Sequence, residues 1–118
     1  MRSTGARFED LALAHLQRSG LDLVARNFTC RHGEIDLIMR DGPVVVFVEV
    51  RYRRESGFGG AVDSVGPCKR KRLIAAASLF LQARPQFARS ACRFDVLAIG
   101  GEAAHADIEW LRDAFQTH

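Results

Sequence analysis

Two acidic residues of the chain lie inside strongly apolar segments. Asp36 stands within the run Ile35–Met39. Glu49 lies near the end of a second run, which begins at Val44, and Arg51 comes two residues after Glu49. A carboxylate is costly to remove from water unless it gains a partner or a metal ion. Two such carboxylates on neighbouring strands, with a cation close by, could form a divalent-metal site for phosphate chemistry.

Strand geometry decides whether these carboxylates can meet. Side chains alternate between the two faces of a strand, so Glu49 and Arg51 share one face. On the preceding strand, Glu34 and Asp36 share a face in the same way. The turn residues Asp41-Gly42-Pro43 predict a hairpin that places the two strands side by side, where the carboxylates could converge on one ion. The alternative is an ordinary hairpin whose charged residues face solvent.

The elements that must position these residues are predicted from hydrophobic periodicity and turn residues. They are a helix from Thr4 or Gly5 to before Gly20, strands at Leu23–Cys30, Glu34–Arg40 and Val44–Arg53, a helix at Pro67–Ala83, a strand at Arg93–Ile99 and a short final segment at Ile108–Phe115. Residues 55–66 are rich in glycine and are interpreted as either a flap over the site or a plain connector. In the later strand, Asp95 is predicted to pair with a nearby basic group as a structural residue. The order α-β-β-β-α-β predicts an α/β fold with a mixed central sheet flanked by helices.

The composition is typical of one small globular domain. Of the 118 residues, 47% are hydrophobic and 26% are charged, so we treat residues 1–118 as a single domain. The formal net charge of +3 permits nucleic-acid binding without requiring it. No apolar run approaches the roughly 20 residues of a membrane span and no signal-peptide pattern opens the chain, so we expect a cytoplasmic protein without a membrane partner. The three cysteines lack C-x-x-C spacing and indicate neither a disulfide framework nor a zinc site.

A series of residue blocks spread along the chain resembles one protein family. The blocks are Gly5, Glu9 and Ala12, Gly20, Arg26-Asn27, Gly33–Ile38, Phe47–Arg51, Lys69 and Arg93–Val96. From about Thr4 to Phe115, this order resembles the YraN-like family of small bacterial proteins. By resemblance that family belongs to the restriction-endonuclease-like, or PD-(D/E)xK, nuclease superfamily, nearest to archaeal Holliday junction resolvases. The resemblance therefore implies a restriction-endonuclease-like fold.

The resemblance also implies a site. In such nucleases an aspartate and a glutamate bind magnesium, a lysine two residues after the glutamate assists the attacking water, and a glutamate on an N-terminal helix completes the site. Carried over to this chain, the metal ligands are Asp36 and Glu49, the lysine position is 51, and the helical glutamate is Glu9. We expect Mg²⁺ or Mn²⁺ to bind weakly, because such ions keep several waters and depend on the substrate's phosphate. Without the resemblance, Glu9 would be interpreted as a surface residue that compensates the helix dipole.

Position 51 departs from the motif, because this chain has Arg51 where the motif has lysine. Arginine can bind phosphate through two N–H groups, but its pKa is too high for proton transfer. The chain has fifteen arginines and two lysines, Lys69 and Lys71, so arginine is used wherever charge alone suffices. One of the two lysines could reach the site from its helix and supply the amine. The alternative is that both are surface residues.

A basic cluster opens the second predicted helix. Four cations at a helix N-terminus oppose the helix dipole, at a cost of roughly 0.3–1 kcal/mol each. A phosphate docked there would relieve the repulsion and meet free backbone N–H groups, whereas the alternative is a solvated cluster. We expect structured or branched DNA as the partner, contacted mainly at its phosphates. The predicted contacts are Arg53, Arg54, Lys69, Arg70, Lys71 and Arg72.

Three functions remain open from the sequence. The first is a metal-dependent nuclease that hydrolyses phosphodiester bonds in structured or branched DNA, acting as a homodimer because one small domain offers little surface for a junction. The second is a nucleic-acid-binding module that has lost the chemistry, and the third is a protein-interaction domain with a vestigial site. Arg51 favours the second, whereas the intact set of Glu9, Asp36 and Glu49 favours the first. Of the three functions, the sequence narrowly favours the nuclease.

Overall fold

The structure, a computed structural model, describes residues 4–53, 65–101 and 107–115. Its elements are helix α1 (Thr4–Arg18), strands β1 (Asp22–Cys30), β2 (Gly33–Asp41) and β3 (Val44–Arg53), helix α2 (Pro67–Gln82), a 3₁₀ turn (Pro85–Phe87), and strands β4 (Cys92–Gly100) and β5 (Asp107–Phe115). Most of the predicted flap or connector, residues 55–64, lies outside the described residues, as do Arg54 and the side chain of Arg53. Neither described helix is long and apolar enough to cross a membrane.

A five-stranded mixed sheet forms the centre of the fold. The strands lie in the order β1-β2-β3-β4-β5; β3 and β4 are parallel, and the other neighbours are antiparallel. A parallel pair needs a crossover connection, which contains α2. The α/β prediction is confirmed, and the order α-β-β-β-α-β-β fits a restriction-endonuclease-like fold. The predicted final segment is a strand of nine residues that occupies one edge of the sheet.

The two helices cover opposite faces of the sheet. The core between α1 and the sheet contains Phe8, Ala12 and Leu16, which form an apolar stripe at helical spacing. The core on the other face contains Leu73, Ala76, Ala77 and Phe80 from α2, again at helical spacing. Burial of these stripes fixes both helices against the sheet.

The turn between β2 and β3 sets the register of these strands. Gly42 has φ of 59°, a left-handed conformation that glycine adopts at little cost, and the turn pairs Asp41 with Val44. The pairing then continues without a shift to Leu37 and Val48. This register makes Asp36 and Glu49 the next residues in line on the two strands.

The alternation of side chains along β2 breaks beside Asp36. Ile35 and Ile38 both belong to the core that faces α2, whereas Leu37 belongs to the core that faces α1. Strict alternation would have placed Ile35 with Leu37. Opposite this point on β1 lies Asn27, whose φ of 54° is left-handed. The expectation of a regular strand is wrong here, because a left-handed residue on the neighbouring strand interrupts the regular geometry.

Candidate functional site

Strands β2 and β3 separate where the two predicted metal ligands lie. Their residue pairing ends at Leu37 and Val48. Beyond that pair, the backbone N–H of Val50 donates to Oδ2 of Asp36 at 2.9 Å. The carboxylate of Asp36 therefore accepts a backbone N–H that would otherwise be available to a neighbouring strand. This contact brings Asp36 and Glu49 together where the two strands separate.

In the acid pair, Asp36 and Glu49, burial and the neighbouring carboxylate disfavour ionisation of Asp36. The pKa of Asp36 is raised from 3.8 to about 7, first by burial and then by the charge of Glu49 and a side-chain hydrogen bond between the two. The N–H of Val50 and the positive charge of Lys69 act in the opposite direction. Two carboxylates this close ionise together only at a cost, so the pair holds a proton or attracts a cation.

An amine from α2 reaches the acid pair. Lys69 lies in the first turn of that helix, and its Nζ is 3.3 Å from Oε2 of Glu49, which is 4% exposed. Nη1 of Arg51 lies 3.7 Å from the same oxygen. The position where the motif expects lysine thus holds a guanidinium at longer range, while an ammonium approaches Glu49 from the helix.

Glu9 approaches the acid pair from α1. Its Oε1 lies 3.7 Å from Nε of Arg26. Burial and the charge of Asp36 raise the pKa of Glu9; the charge of Arg26 lowers it, that of Glu34 raises it, and a hydrogen bond from Asn27 lowers it. Carboxylate oxygens of Glu9, Glu34 and Asp36 all lie within 4.8 Å of one another. The helical glutamate is therefore part of one continuous acidic site.

Asn27 links two of these carboxylates. With its amide nitrogen turned towards them, Asn27 donates to Oε1 of Glu9 and to Oε1 of Glu34, each at 2.9 Å. A left-handed residue other than glycine costs of order 1–3 kcal/mol and persists where its surroundings hold it in place. Neither Asn27 nor Glu34 was assigned a role from the sequence. The only signal available for them was their presence in the blocks that resemble the family.

The donor atoms suit a hard divalent cation. The site offers carboxylate oxygens, which Mg²⁺ and Mn²⁺ prefer. The raised pKa of Asp36 also means that a cation would relieve repulsion that the protein leaves in place. Asp36 and Glu49 could hold such an ion, with Glu9 and Glu34 adjacent to it.

The basic residues predicted at the start of α2 lie in different environments. Nε of Arg70 donates to the carbonyl oxygen of Val65 at 2.8 Å, and its guanidinium lies over the ring of Phe115. Lys71 and Arg72 are exposed. The helix has no acidic residue in its first turn and no side-chain cap, so exposed cations and backbone N–H groups lie at the same end. Arg70 therefore has structural partners, whereas Lys71 and Arg72 are exposed to solvent.

Comparison with known proteins identifies the family. The family model described as "Uncharacterised protein family UPF0102" matches residues 8–99 of the chain. A UPF0102 protein of Stutzerimonas stutzeri (strain A1501) is 53% identical over 116 residues, which cover 98% of this chain and 97% of the relative. A UPF0102 protein of Pseudomonas putida (strain GB-1) is 52% identical over 113 residues, covering 95% of this chain and 92% of the relative. These matches confirm the YraN-like resemblance, and the chain belongs to the UPF0102 family.

Proposed function

We propose that this chain is a metal-dependent nuclease that hydrolyses phosphodiester bonds in structured or branched DNA. The observation that carries the proposal is the 3.3 Å separation between Nζ of Lys69 and Oε2 of Glu49. It supports a site in which the amine that the motif lacks at position 51 comes from α2 instead. Glu9 adds support, because its carboxylate lies within 4.8 Å of that of Asp36, and Asp36 in turn shares a hydrogen bond with Glu49.

The roles follow from the chemistry of each side chain. Asp36 and Glu49 would hold Mg²⁺ or Mn²⁺, and such an ion, when bound, supplies charge stabilisation to phosphate and lowers the pKa of water. An amine can carry or release a proton, whereas a guanidinium stays protonated. We therefore assign proton movement at the attacking water to Nζ of Lys69, and neutralisation of phosphate charge to Arg51.

Phosphate contacts outside the acid pair would bind the DNA backbone. Lys71 and Arg72 are exposed at the N-terminus of α2, where backbone N–H groups also favour an anion. Such contacts position nucleic acid without reading its sequence, so they favour recognition of DNA shape. A homodimer would offer a junction more of this surface than one chain can.

The test is a cleavage assay on branched, flapped and linear DNAs with and without Mg²⁺. The wild type is compared with Lys69→Ala, with Lys69→Arg, which keeps the charge but not the transferable proton, and with the control Arg89→Ala, which removes an exposed cation beyond the C-terminal end of α2. We expect both Lys69 variants to lose roughly 10²–10⁴-fold in rate, the usual contribution of a positioned acid–base group, while the control keeps its cleavage. Unchanged cleavage by Lys69→Ala, or no cleavage of any DNA by the wild type, would contradict the proposal.

A second candidate function, a binding module without chemistry, is favoured by the surroundings of Glu49. Its carboxylate has cations at 3.3 and 3.7 Å, so side chains rather than a metal ion could neutralise it. This function predicts salt-dependent DNA binding that is independent of Mg²⁺, with no cleavage by the wild type or by Arg51→Lys.

A further inference from the structure

Tyr52 is an exposed aromatic residue close to the acid pair. Its exposure is 49%, and the other large apolar side chain that is exposed among the described residues, Leu23, is 41% exposed. Leu23 pairs with Met39 at the hairpin end of the sheet, whereas Tyr52 follows Glu49 by three residues on β3. At about 3.4 Å per residue, Tyr52 is about 10 Å along the strand from Glu49.

The ring of Tyr52 is supported from one side. The ring of Phe8 stacks on it with centroids 4.4 Å apart and an interplanar angle of 29°. Phe8 itself is 8% exposed and belongs to the core beneath α1. One side of the Tyr52 ring is therefore packed, while the residue as a whole stays half exposed. An aromatic ring held in this way is preorganised to stack with a planar ligand, because little side-chain freedom is lost on binding.

The elements that hold this ring also carry the acidic site. Phe8 is followed directly by Glu9 on α1, and Tyr52 shares β3 with Glu49 and Arg51. Lys69 reaches Glu49 from the α2 face of the sheet, whereas Tyr52 packs on the α1 side. A nucleic-acid strand with a phosphate at the acid pair would therefore cross the end of the sheet towards Tyr52.

We propose that Tyr52 is a stacking platform for an unpaired nucleobase, within a few nucleotides of the phosphate at the acid pair. The distance of about 10 Å along the strand equals about three steps of the 3.4 Å rise of one DNA strand, and it is a lower bound because the two groups lie on opposite faces of the sheet. Stacking on an aromatic ring accepts any base, but a base inside a duplex already has neighbours on both sides. The platform therefore selects DNA with unpaired nucleotides beside the bound phosphate, such as forks and flaps. This inference rests on the proposed function, because the phosphate position comes from it.

Binding measured in EDTA tests the platform without cleavage. The probe is a fork whose unpaired arm carries 2-aminopurine, and an intact duplex of the same length is the reference. The variants are Tyr52→Phe, which keeps the ring, Tyr52→Leu, which still covers Phe8 but cannot stack with a base, and the control Leu23→Ala. We expect Tyr52→Leu to bind the fork at least about 5-fold more weakly, with duplex binding unchanged, because one base stack is lost. Tyr52→Phe and Leu23→Ala should bind the fork as the wild type does.

Fluorescence of the 2-aminopurine reports the stack directly. The wild type and Tyr52→Phe should quench it, and Tyr52→Leu should not. Equal fork binding by the wild type and Tyr52→Leu, or equal losses on fork and duplex, would overturn the platform. A separate Mg²⁺ cleavage assay tests the proposed function: ring-dependent fork binding without cleavage would contradict the nuclease alone. A wild type that binds neither DNA would overturn both.

Discussion

The sheet holds buried carboxylates in two contrasting environments. Asp95 on β4 is 0% exposed, and its oxygens accept hydrogen bonds from three residues. These are Nε of Arg93 at 3.0 Å, Nε1 of Trp110 at 2.9 Å and the backbone N–H of Asp113 at 2.9 Å. In the acid pair, Asp36 accepts from one backbone N–H, and Glu49 has two cations at longer range.

The difference separates a structural carboxylate from one with capacity to bind. Asp95 is surrounded by directional donors, including a guanidinium, so its charge is stabilised within the fold. The acid pair instead sets two carboxylates against each other, and the pKa of Asp36 rises to about 7 as a result of burial and of that repulsion. A buried carboxyl group whose pKa is raised in this way is typical of a site that binds a proton, a metal ion or a substrate.

The largest effect is expected from Asp95→Asn, which removes the charge while keeping the shape. The variant leaves the partly buried guanidinium of Arg93 without its carboxylate on β4 and turns an amide towards donors. Breaking a buried ion pair on one side costs about 3–5 kcal/mol. Urea unfolding followed through the fluorescence of Trp110 measures the loss. A change below about 1 kcal/mol would mean that the Asp95 network is not structural in this sense.

The same substitution in the acid pair, Asp36→Asn, should have the opposite sign. The introduced asparagine is not ionised, yet its oxygen can still accept from Val50 and its amide can donate to Glu49. In the wild type, the pKa of Asp36 is about 7 in the folded state, above the ordinary value of 3.8 that we take for the unfolded state. Between these two pH values the folded state therefore binds more protons than the unfolded state. The contribution of Asp36 to stability therefore falls as pH rises from about 4 to about 7, and stays low above that. In EDTA at pH 8, Asp36→Asn should be more stable than the wild type by up to about 4 kcal/mol.

Unfolding at two pH values separates this explanation from a general packing effect. The gain from Asp36→Asn should shrink at pH 4, where the carboxyl is protonated in the folded state and roughly half protonated in the unfolded state. Adding Mg²⁺ at pH 8 should stabilise the wild type and not the variant, because binding to the folded state alone raises stability. An equal gain at both pH values would contradict the assigned cause.

Much of this contrast could be predicted from local sequence features. The Asp41-Gly42-Pro43 turn and the apolar runs were enough to place Asp36 beside Glu49, because the hairpin register follows from the turn. The choice between the two lysines was also contained in the helical pattern. Lys69 precedes the buried Leu73 by four residues and Ala76 by seven, so it shares their face of α2, whereas Lys71 does not.

Other features depend on contacts between distant residues. Asn27 is left-handed where its amide links carboxylates from α1 and β2, and no local pattern indicates that conformation. Strand β5 contains another left-handed residue that is not glycine, Asp113, whose N–H donates to Asp95 instead of following a regular ladder. Tertiary hydrogen bonds override strand alternation at both positions. For that reason, sequence analysis predicted only a short final segment where the structure has strand β5, and it assigned no role to Asn27.

The smallest effect is expected from Arg51→Lys as a single substitution. If Lys69 already supplies the amine, a second amine at position 51 adds little, and cleavage should change by less than about tenfold. DNA affinity should hardly change, because the charge is conserved. The informative protein is the double variant that combines Arg51→Lys with Lys69→Ala, in which the introduced lysine becomes the only amine near Glu49 among the described residues. It should recover much of the roughly 10²–10⁴-fold loss caused by Lys69→Ala alone.

The four proteins of this cycle, measured with Mg²⁺ on one branched DNA, distinguish three arrangements of the site. Recovery only in the double variant means that the amine has moved from β3 to α2 and that either position can serve the same Glu49. A gain of roughly 100-fold or more from Arg51→Lys alone would instead mean that Arg51 disables the site and that the 3.3 Å contact of Lys69 is structural. Absence of cleavage in all four, with DNA still bound, would mean that Lys69 and Arg51 neutralise Glu49 in the way that Arg93 neutralises Asp95. The acid pair would then be a second structural network, and the contrast between the two regions would be one of degree.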